Sequence, residues 1–367
     1  MNKERNSNFE LLRIVAMMLI ILHHLFVNCI SGLFAEINAS APAQLINNQE
    51  FYGKIILMDY AFSLGKIGNL LFIMISGYFL IDKESVNLAG RIKKILSQVL
   101  FITLTLTIGS FGLLFVKNIR TTITVFSFQE EWWFIGFYIA IVIIGEIGLN
   151  RFAGKLDSKK YLALLAMLFC ICVLSFTRTV IRGIAVGLEV LTAGVLAYLI
   201  GGYIKRFRPF EKLHSVAIWG IILFSVIIMG LSHYNYTYNG IRTVISAGEE
   251  IYKPEFVPYA EYYLPCIVLS TMIFELVQRK KLKSNRIISF IAASTFMMYL
   301  IHSNGFAVNL LYYLDWYNLL RANDNKKIWF YIVCVVVGVM ITSVMLYALY
   351  LAVVKLFGKL SGTKKQS

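Results

Sequence analysis

Ten predominantly apolar stretches, separated by shorter polar segments, make up most of the chain. They lie near residues 9–31, 60–81, 95–116, 132–149, 161–177, 184–204, 215–232, 260–278, 287–309 and 329–354. A helix that crosses the hydrocarbon core of a bilayer needs about 20 such residues. The pattern therefore predicts an all-α polytopic membrane protein with about ten transmembrane helices, organised as one integral-membrane domain over residues 1–367.

Composition agrees with this class. The chain is 58% hydrophobic and 15% charged, and its mean hydropathy is +0.70, whereas soluble domains carry about 25% charged residues. The five cysteines lie in apolar segments without the spacing of a metal site or a disulfide framework: Cys29, Cys170, Cys172, Cys266 and Cys334. We therefore expect no metal, and no stretch resembles a soluble domain.

The net charge of +15 is explained by topology, so we expect no nucleic-acid partner. If the loops alternate from a cytoplasmic N-terminus, the inner segments hold 23 of the 35 Lys and Arg residues, the outer segments hold 10, and two lie within spans. Positive residues concentrate on the cytoplasmic side of membrane proteins. This bias predicts a multi-pass protein of the plasma membrane with both termini in the cytoplasm.

The first apolar stretch carries polar residues that a lipid-facing helix avoids. Arg13 and His24 are eleven positions apart, which at about 100° per residue places them within about 20° on one helix face and roughly 16 Å apart along the axis. Asn28 lies one turn beyond His24, and Glu10, one turn before Arg13, can pair with it. His23 points about 80° away from this polar line. Polar groups at bilayer depth indicate a functional site.

Three simpler interpretations stay open for this stretch. Arg13 near a helix start can extend its charged end to the lipid headgroups. A membrane histidine can serve packing or hydrogen bonding rather than chemistry. The stretch could also be a signal peptide with Ala39-Ser40-Ala41 as the cleavage site, although His23-His24 interrupts the apolar run and the cleavage site lies far beyond it.

Further candidates lie near the ends of later spans. Ser76 and Gly77, near the end of the second span, permit close backbone approach or a kink, and a small pair can equally serve helix packing. Arg91 and Lys94, in the next inner loop, could bind phosphates, and the positive-inside rule alone would also place them there. Trp133 at the start of the fourth span is typical of an interfacial belt.

The ninth span, Ile287 to Phe306, contains Ser294, Tyr299 and His302. His302 is as far from the start of its span as His24 is from the start of the first, and both spans run outward, so we expect the two imidazoles at similar depth. We expect the outer segment Gly32–Asp59 to be irregular. The longest loop, His233–Pro258, is also outer, and its tyrosines and acidic residues suit a sugar without being specific for one.

Four motifs in this order resemble the integral-membrane acyltransferase 3 family, whose members include enzymes that O-acetylate capsule, lipopolysaccharide and peptidoglycan sugars. They are FELLRIVAMMLIILHH with Arg13 and His24, FIMISGYFL (72–80), EWWFIGFY (131–138) and ASTFMMYLIHSN (293–304). The chain departs from the family pattern at two places. The basic pair that follows the second helix in the family is here Arg91-Ile-Lys-Lys94, and the family's Trp-Phe-Leu is here Trp-Phe-Ile. We see no fused hydrolase-like domain and expect a stand-alone enzyme.

The resemblance implies a cytoplasmic acyl-CoA donor, usually acetyl-CoA, no permanently bound cofactor, and a glycan hydroxyl as acceptor. His24 would then be the general base, which gains about 10²–10⁴ in rate by taking the hydroxyl proton. His302 would assist His24 or bind the acceptor, and Arg13 would hold the phosphates of CoA as a fork donor. The other assignments are donor binding by Ser76, Arg91 and Lys94, and acceptor binding by Asn28, Trp133, Ser294 and Tyr299.

Two rival functions also fit ten spans with buried polar residues. One is a transporter or flippase for a polysaccharide or its lipid-linked unit. The other is a non-catalytic membrane partner of an envelope assembly, which would need none of the aligned polar groups. The acyltransferase resemblance favours the enzyme, with the bilayer and other polysaccharide-assembly proteins as its expected surroundings.

Overall fold

Every regular element in the described part of the chain is a helix. The computed structural model describes residues 7–26, 49–83, 85, 87–117, 132–173, 185–247, 263–304 and 325–360. The helices are α1 (Ser7–Leu25), α2 (Gln49–Leu80), α3 (Leu88–Lys117), α4 (Trp133–Ile144), α5 (Asn150–Gly154), α6 (Ser158–Val173), α7 (Ala185–Phe207), α8 (Ser215–Ala247), α9 (Leu264–Arg279), α10 (Arg286–Ala293), α11 (Thr295–His302) and α12 (Asn325–Leu360). A π-helical turn, Gly145–Leu149, joins α4 to α5.

The prediction of an all-α membrane protein is confirmed. Among the described residues, six helical stretches are long and apolar enough to cross a membrane: Ser7–Leu25, Leu88–Gly112, Trp133–Gly154, Glu189–Phe207, Ser215–Asn235 and Lys326–Gly358. Two shorter apolar stretches are Leu64–Leu80 and Arg286–His302. Each of the ten predicted spans overlaps a helix, and the count of ten spans stays a prediction.

Several predicted boundaries are wrong. Residues 49–59 and 233–247, expected in outer loops, belong to helices α2 and α8. Arg91 and Lys94, expected in a loop, lie in the first turns of α3. Both errors have one cause: a helix continues past its apolar part, where polarity alone suggests a loop.

The ninth span is two helices, because the chain turns at Ser294 between α10 and α11. The Ser294 hydroxyl donates to the Ile291 carbonyl at 2.8 Å, and the Thr295 hydroxyl donates to the Ala292 carbonyl at 2.8 Å. Serine and threonine hydroxyls compete with backbone amides for such carbonyls. Ser294 is therefore a break point, and it does not share one continuous helix with His302 as predicted.

Helix α1 lies between two hydrophobic core clusters. The larger cluster joins α1 to α2, α4, α6, α7, α8 and α9, and the smaller joins α1 to α3, α11 and α12. Phe72 on α2 and Phe134 on α4 pack against both clusters. A side chain on the interior face of α1 can therefore meet groups from either cluster.

Helices α1 and α2 run antiparallel in close contact. The rings of Phe9 and Tyr78 are 4.8 Å apart at one end, and the ring of His23 lies against Gly65 at the other, where an added Cβ would come within 2.4 Å of the imidazole. Only a glycine at this position leaves room for the ring. The contact therefore fixes the axial register of α1, and with it the depth of His24.

The start of α1 is held by the linker between α9 and α10. The Asn8 side chain donates to the Val277 carbonyl at 3.2 Å and accepts from the Leu282 amide at 2.8 Å. Ser289 on α10 donates to the buried Glu10 carboxylate at 2.5 Å. These bonds tie α1 to the chain that leads into α11, so that the histidines of the two helices are placed relative to each other.

Helices α2 and α7 approach each other closely at Gly77. A Cβ at Gly77 would lie 1.8 Å from the Tyr198 carbonyl oxygen, and a Cβ at Gly201 would lie 2.1 Å from the Met74 carbonyl oxygen. The Ser76-Gly77 pair thus serves close helix packing through its glycine. Small residues permit such backbone contact in membrane bundles, and here it holds Ser76 in a fixed orientation.

Candidate active site at a histidine pair

The imidazole of His24 in α1 is in contact with that of His302 in α11, although the two residues lie near opposite ends of the sequence. His24 Nδ1 lies 2.7 Å from His302 Nε2, and the rings have centroids 4.9 Å apart. His302 Nδ1 lies 2.6 Å from the Met298 carbonyl oxygen, one turn earlier on α11. The hydrogen bond agrees with the expectation that the two histidines lie at similar depth.

The polar line of α1 faces the interior of the protein. Leu11 and Val15 are each 41% exposed and mark the lipid-facing side of the helix. At about 100° per residue, Arg13 and His24 lie on the opposite side, where their apolar neighbours Met17 and Ile20 are buried. Arg13 and His24 nevertheless stay partly exposed. Their partial exposure distinguishes these two polar residues from Met17 and Ile20, which lie between them on the same face.

His23 occupies a different environment from its neighbour. It is 8% exposed, it lies against Gly65, and its ring meets that of His24 edge-on with centroids 5.0 Å apart. The sequence predicted that the His23 side chain either packs inside the protein or faces the lipid. In the structure it packs inside the protein. His23 thus supports one side of the His24 ring.

Aromatic side chains of α4 and α11 lie next to the histidine pair. The Tyr299 hydroxyl accepts from the Phe134 amide at 3.3 Å, and the Tyr299 ring meets that of His302 edge-on with centroids 5.8 Å apart. Tyr138, one turn beyond Phe134, has its hydroxyl 3.4 Å from Ser76 Oγ. Ser76 also donates to the Phe72 carbonyl. These contacts link α2, α4 and α11 next to the histidine pair.

The chemistry available to this arrangement is that of a base and a cation on one helix face, roughly 16 Å apart along the axis. A partly exposed imidazole can accept a proton, and a guanidinium presents five donors in a fixed fork that matches a phosphate. Among the described residues, no group of three or more His, Cys, Asp or Glu side chains could hold a metal ion. A family model described as an acyltransferase domain matches residues 6–348, nearly the whole chain.

The chain belongs to the acyltransferase 3 family. The match includes both histidines of the pair, Arg13 and the aromatic segment of α4. Searches of curated proteins and of solved structures find no match to the chain. The protein is therefore a membrane acyltransferase.

For the other predicted site residues of this acyltransferase, the structure gives the helix and the exposure of each described one. Arg91 and Lys94 are exposed at the start of α3, a helix whose main neighbours are α11 and α4. Trp133 is 37% exposed, with its ring against Phe137. Ser294 is fully buried at the turn before α11. Asn28 lies outside the described residues, as do residues 39–41 of the predicted cleavage site.

Several groups that shape the site were missed by sequence reasoning. They are the Met298 carbonyl, the Tyr138 hydroxyl, the Phe134 amide and the Ser289 hydroxyl that meets Glu10. Backbone groups carry no signal in a sequence. A signal for Ser289 existed, because a buried Glu10 requires a hydrogen-bond partner.

Proposed function

We propose that the protein moves an acetyl group from cytoplasmic acetyl-CoA to a hydroxyl of a cell-surface or lipid-linked glycan, such as a capsule, exopolysaccharide or other envelope polysaccharide. The observation that carries the proposal is the partial exposure of Arg13 and His24 on the interior face of α1. A cation and an imidazole on one helix face, roughly 16 Å apart along the axis, suit a donor that has phosphates at one end and a thioester at the other.

In this mechanism His24 removes the proton of the acceptor hydroxyl. The oxygen attacks the thioester carbonyl carbon, the carbon–sulfur bond breaks, and the CoA thiolate takes the proton back from the imidazole. The acetyl ester and free CoA are the products, and His24 returns to its starting state. Because a hydroxyl is a poor nucleophile, this proton transfer supplies about 10²–10⁴ of the rate.

Donor and acceptor have separate candidate residues in the proposal. Arg13 and Ser76 contact the CoA part of the donor, and the exposed Arg91 and Lys94 attract its phosphates at the entrance. Tyr299 lies beside the reaction centre, and Trp133 offers an exposed ring on which a sugar can stack. Asn28 and the segment after Tyr234 are further candidates for acceptor binding.

Purified protein in detergent provides the test of the proposed reaction. The wild-type protein should release CoA from acetyl-CoA and transfer labelled acetate to a glycan fraction from its own cells, and His24→Ala should do neither. Mass spectrometry of surface glycans with and without the gene identifies the acceptor. If the wild type consumes no acetyl-CoA with any glycan fraction but moves lipid-linked glycan across vesicles, the transporter alternative is correct.

We further propose ten membrane spans in the plasma membrane with both termini cytoplasmic, on the basis of the bias of 23 inner against 10 outer Lys and Arg residues. Reporter fusions after Lys283 and at the C-terminus are expected to report cytoplasm, and fusions near Arg242 the outside. Insertion in the opposite sense, or termini on opposite sides, would contradict the ten-span topology.

A further inference from the structure

The hydrogen bonds of the histidine pair specify where the protons lie. A carbonyl oxygen only accepts hydrogen bonds, so the 2.6 Å contact with the Met298 carbonyl requires a hydrogen on His302 Nδ1. The donor and acceptor lie one turn apart in α11, so the geometry of the helix itself maintains this bond.

A neutral His302 then has its lone pair on Nε2. His302 is 4% exposed, and burying a charge is costly, so the neutral ring is the resting form. Its Nε2 is therefore an acceptor, and the group 2.7 Å away, His24 Nδ1, must carry the hydrogen that is shared. The second nitrogen of His24 is left with a lone pair.

We propose that His302 is a positioning residue, which holds His24 in the tautomer with hydrogen on Nδ1, and that His24 removes the acceptor proton with Nε2. The proton transfer to His24 rests on the proposed function, whereas the tautomer does not. His302 itself exchanges no proton with the substrates in this arrangement. The chain of donors runs in one direction, from His24 through His302 to the Met298 carbonyl.

The arrangement has a consequence for the charged state that forms during the reaction. When His24 Nε2 takes the hydroxyl proton, the hydrogen on Nδ1 stays in its bond to His302, and the positive ring is stabilised by a lone pair that is already in place. Preorganised groups of this kind need no rearrangement at the moment of reaction. The rings of His23 and His302 on two sides also restrict rotation of the His24 ring.

Nitrogen-15 NMR of histidine-labelled full-length protein in lipid tests the tautomer without any substrate. The chain has five histidines, and His24→Asn and His302→Gln assign the two signals by their loss. Both rings are expected to carry hydrogen on Nδ1 and none on Nε2. A His24 ring with hydrogen on Nε2 in the wild type would overturn the proposal.

Two variants of His302 test its role in the reaction. Glutamine keeps an acceptor for His24 Nδ1, whereas leucine has none. His302→Leu is expected to lower kcat about 10- to 100-fold with little change in the KM for acetyl-CoA, while His302→Gln stays within about tenfold of the wild type. In His302→Leu, the His24 signal should become a mixture of both tautomers.

The matched control is His214→Gln, which changes an exposed histidine outside the bundle core and should leave kcat and the His24 signal unchanged. Thermal unfolding in detergent verifies that each variant is folded. Equal loss of kcat in folded Gln and Leu variants would show that His302 does more than accept a hydrogen bond, and would overturn the positioning role. If the wild type has the expected tautomers but transfers no acetyl group, the proposed function fails and the tautomer assignment stands.

Discussion

His24→Ala is expected to abolish acyl transfer, whereas its neighbour variant His23→Ala is expected to keep most of it. His24 is partly exposed on the interior face of α1 and bonded to His302, so its loss removes the base and costs about 10²–10⁴ in rate. His23 is buried against Gly65, on a different side of α1 from His24. Acetyl transfer from labelled acetyl-CoA, measured for both variants at matched expression, checks the difference.

Each of these two variants is a control for the other, because both replace a histidine at nearly the same depth of the same helix. His23→Ala removes a ring that fills space beside a glycine, so we expect lower thermal stability and little change in kcat. A fully active His24→Ala, or an inactive and folded His23→Ala beside an active His24→Ala, would contradict the assignment of the base.

Helix periodicity carries most of what the sequence could predict about the site. The spacing of Arg13 and His24 puts both on one face, and the structure has that face opposite the exposed Leu11 and Val15. The angular offset of His23 agrees with its different environment. The helix faces of these residues depend only on their spacing, so the sequence predicts them at 3.6 residues per turn.

Features that depend on distant contacts could not be predicted in the same way. The bond between His24 and His302 joins residues 278 positions apart, and the anchoring of Asn8 to Leu282 joins residues 274 apart. The sequence indicated similar depth for the two histidines but not that the helices bearing them are neighbours. The break at Ser294 was not predicted for another reason: the flanking residues are apolar, so the sequence pattern does not mark the end of α10.

The position of Arg13 bears on two roles that the sequence allowed for it: contact with the lipid headgroups and binding of the donor. An arginine that only extends to the headgroups would lie on the lipid side of α1 or point out of the bundle. Arg13 lies instead on the face opposite Leu11 and Val15, with buried apolar residues around it and partial exposure of its own. The bonds of Asn8 and Glu10 hold the turn before it in place. These observations favour a guanidinium that serves a ligand inside the protein.

Arg13→Ala is therefore expected to raise the KM for acetyl-CoA by about 10- to 100-fold, because a hydrogen bond to a charged group contributes roughly 1.5–3 kcal/mol and 1.4 kcal/mol is a factor of ten. Arg13→Lys should restore part of the affinity, since lysine keeps the charge and loses the planar fork. Donor binding by calorimetry and kinetics with a series of acetyl-CoA concentrations check both variants. A matched change on the lipid side, Leu11→Ala, should leave the KM unchanged. If Arg13→Ala binds acetyl-CoA as the wild type does, Arg13 has no part in donor binding, and the axial distance from Arg13 to His24 loses its meaning as the length of the donor site.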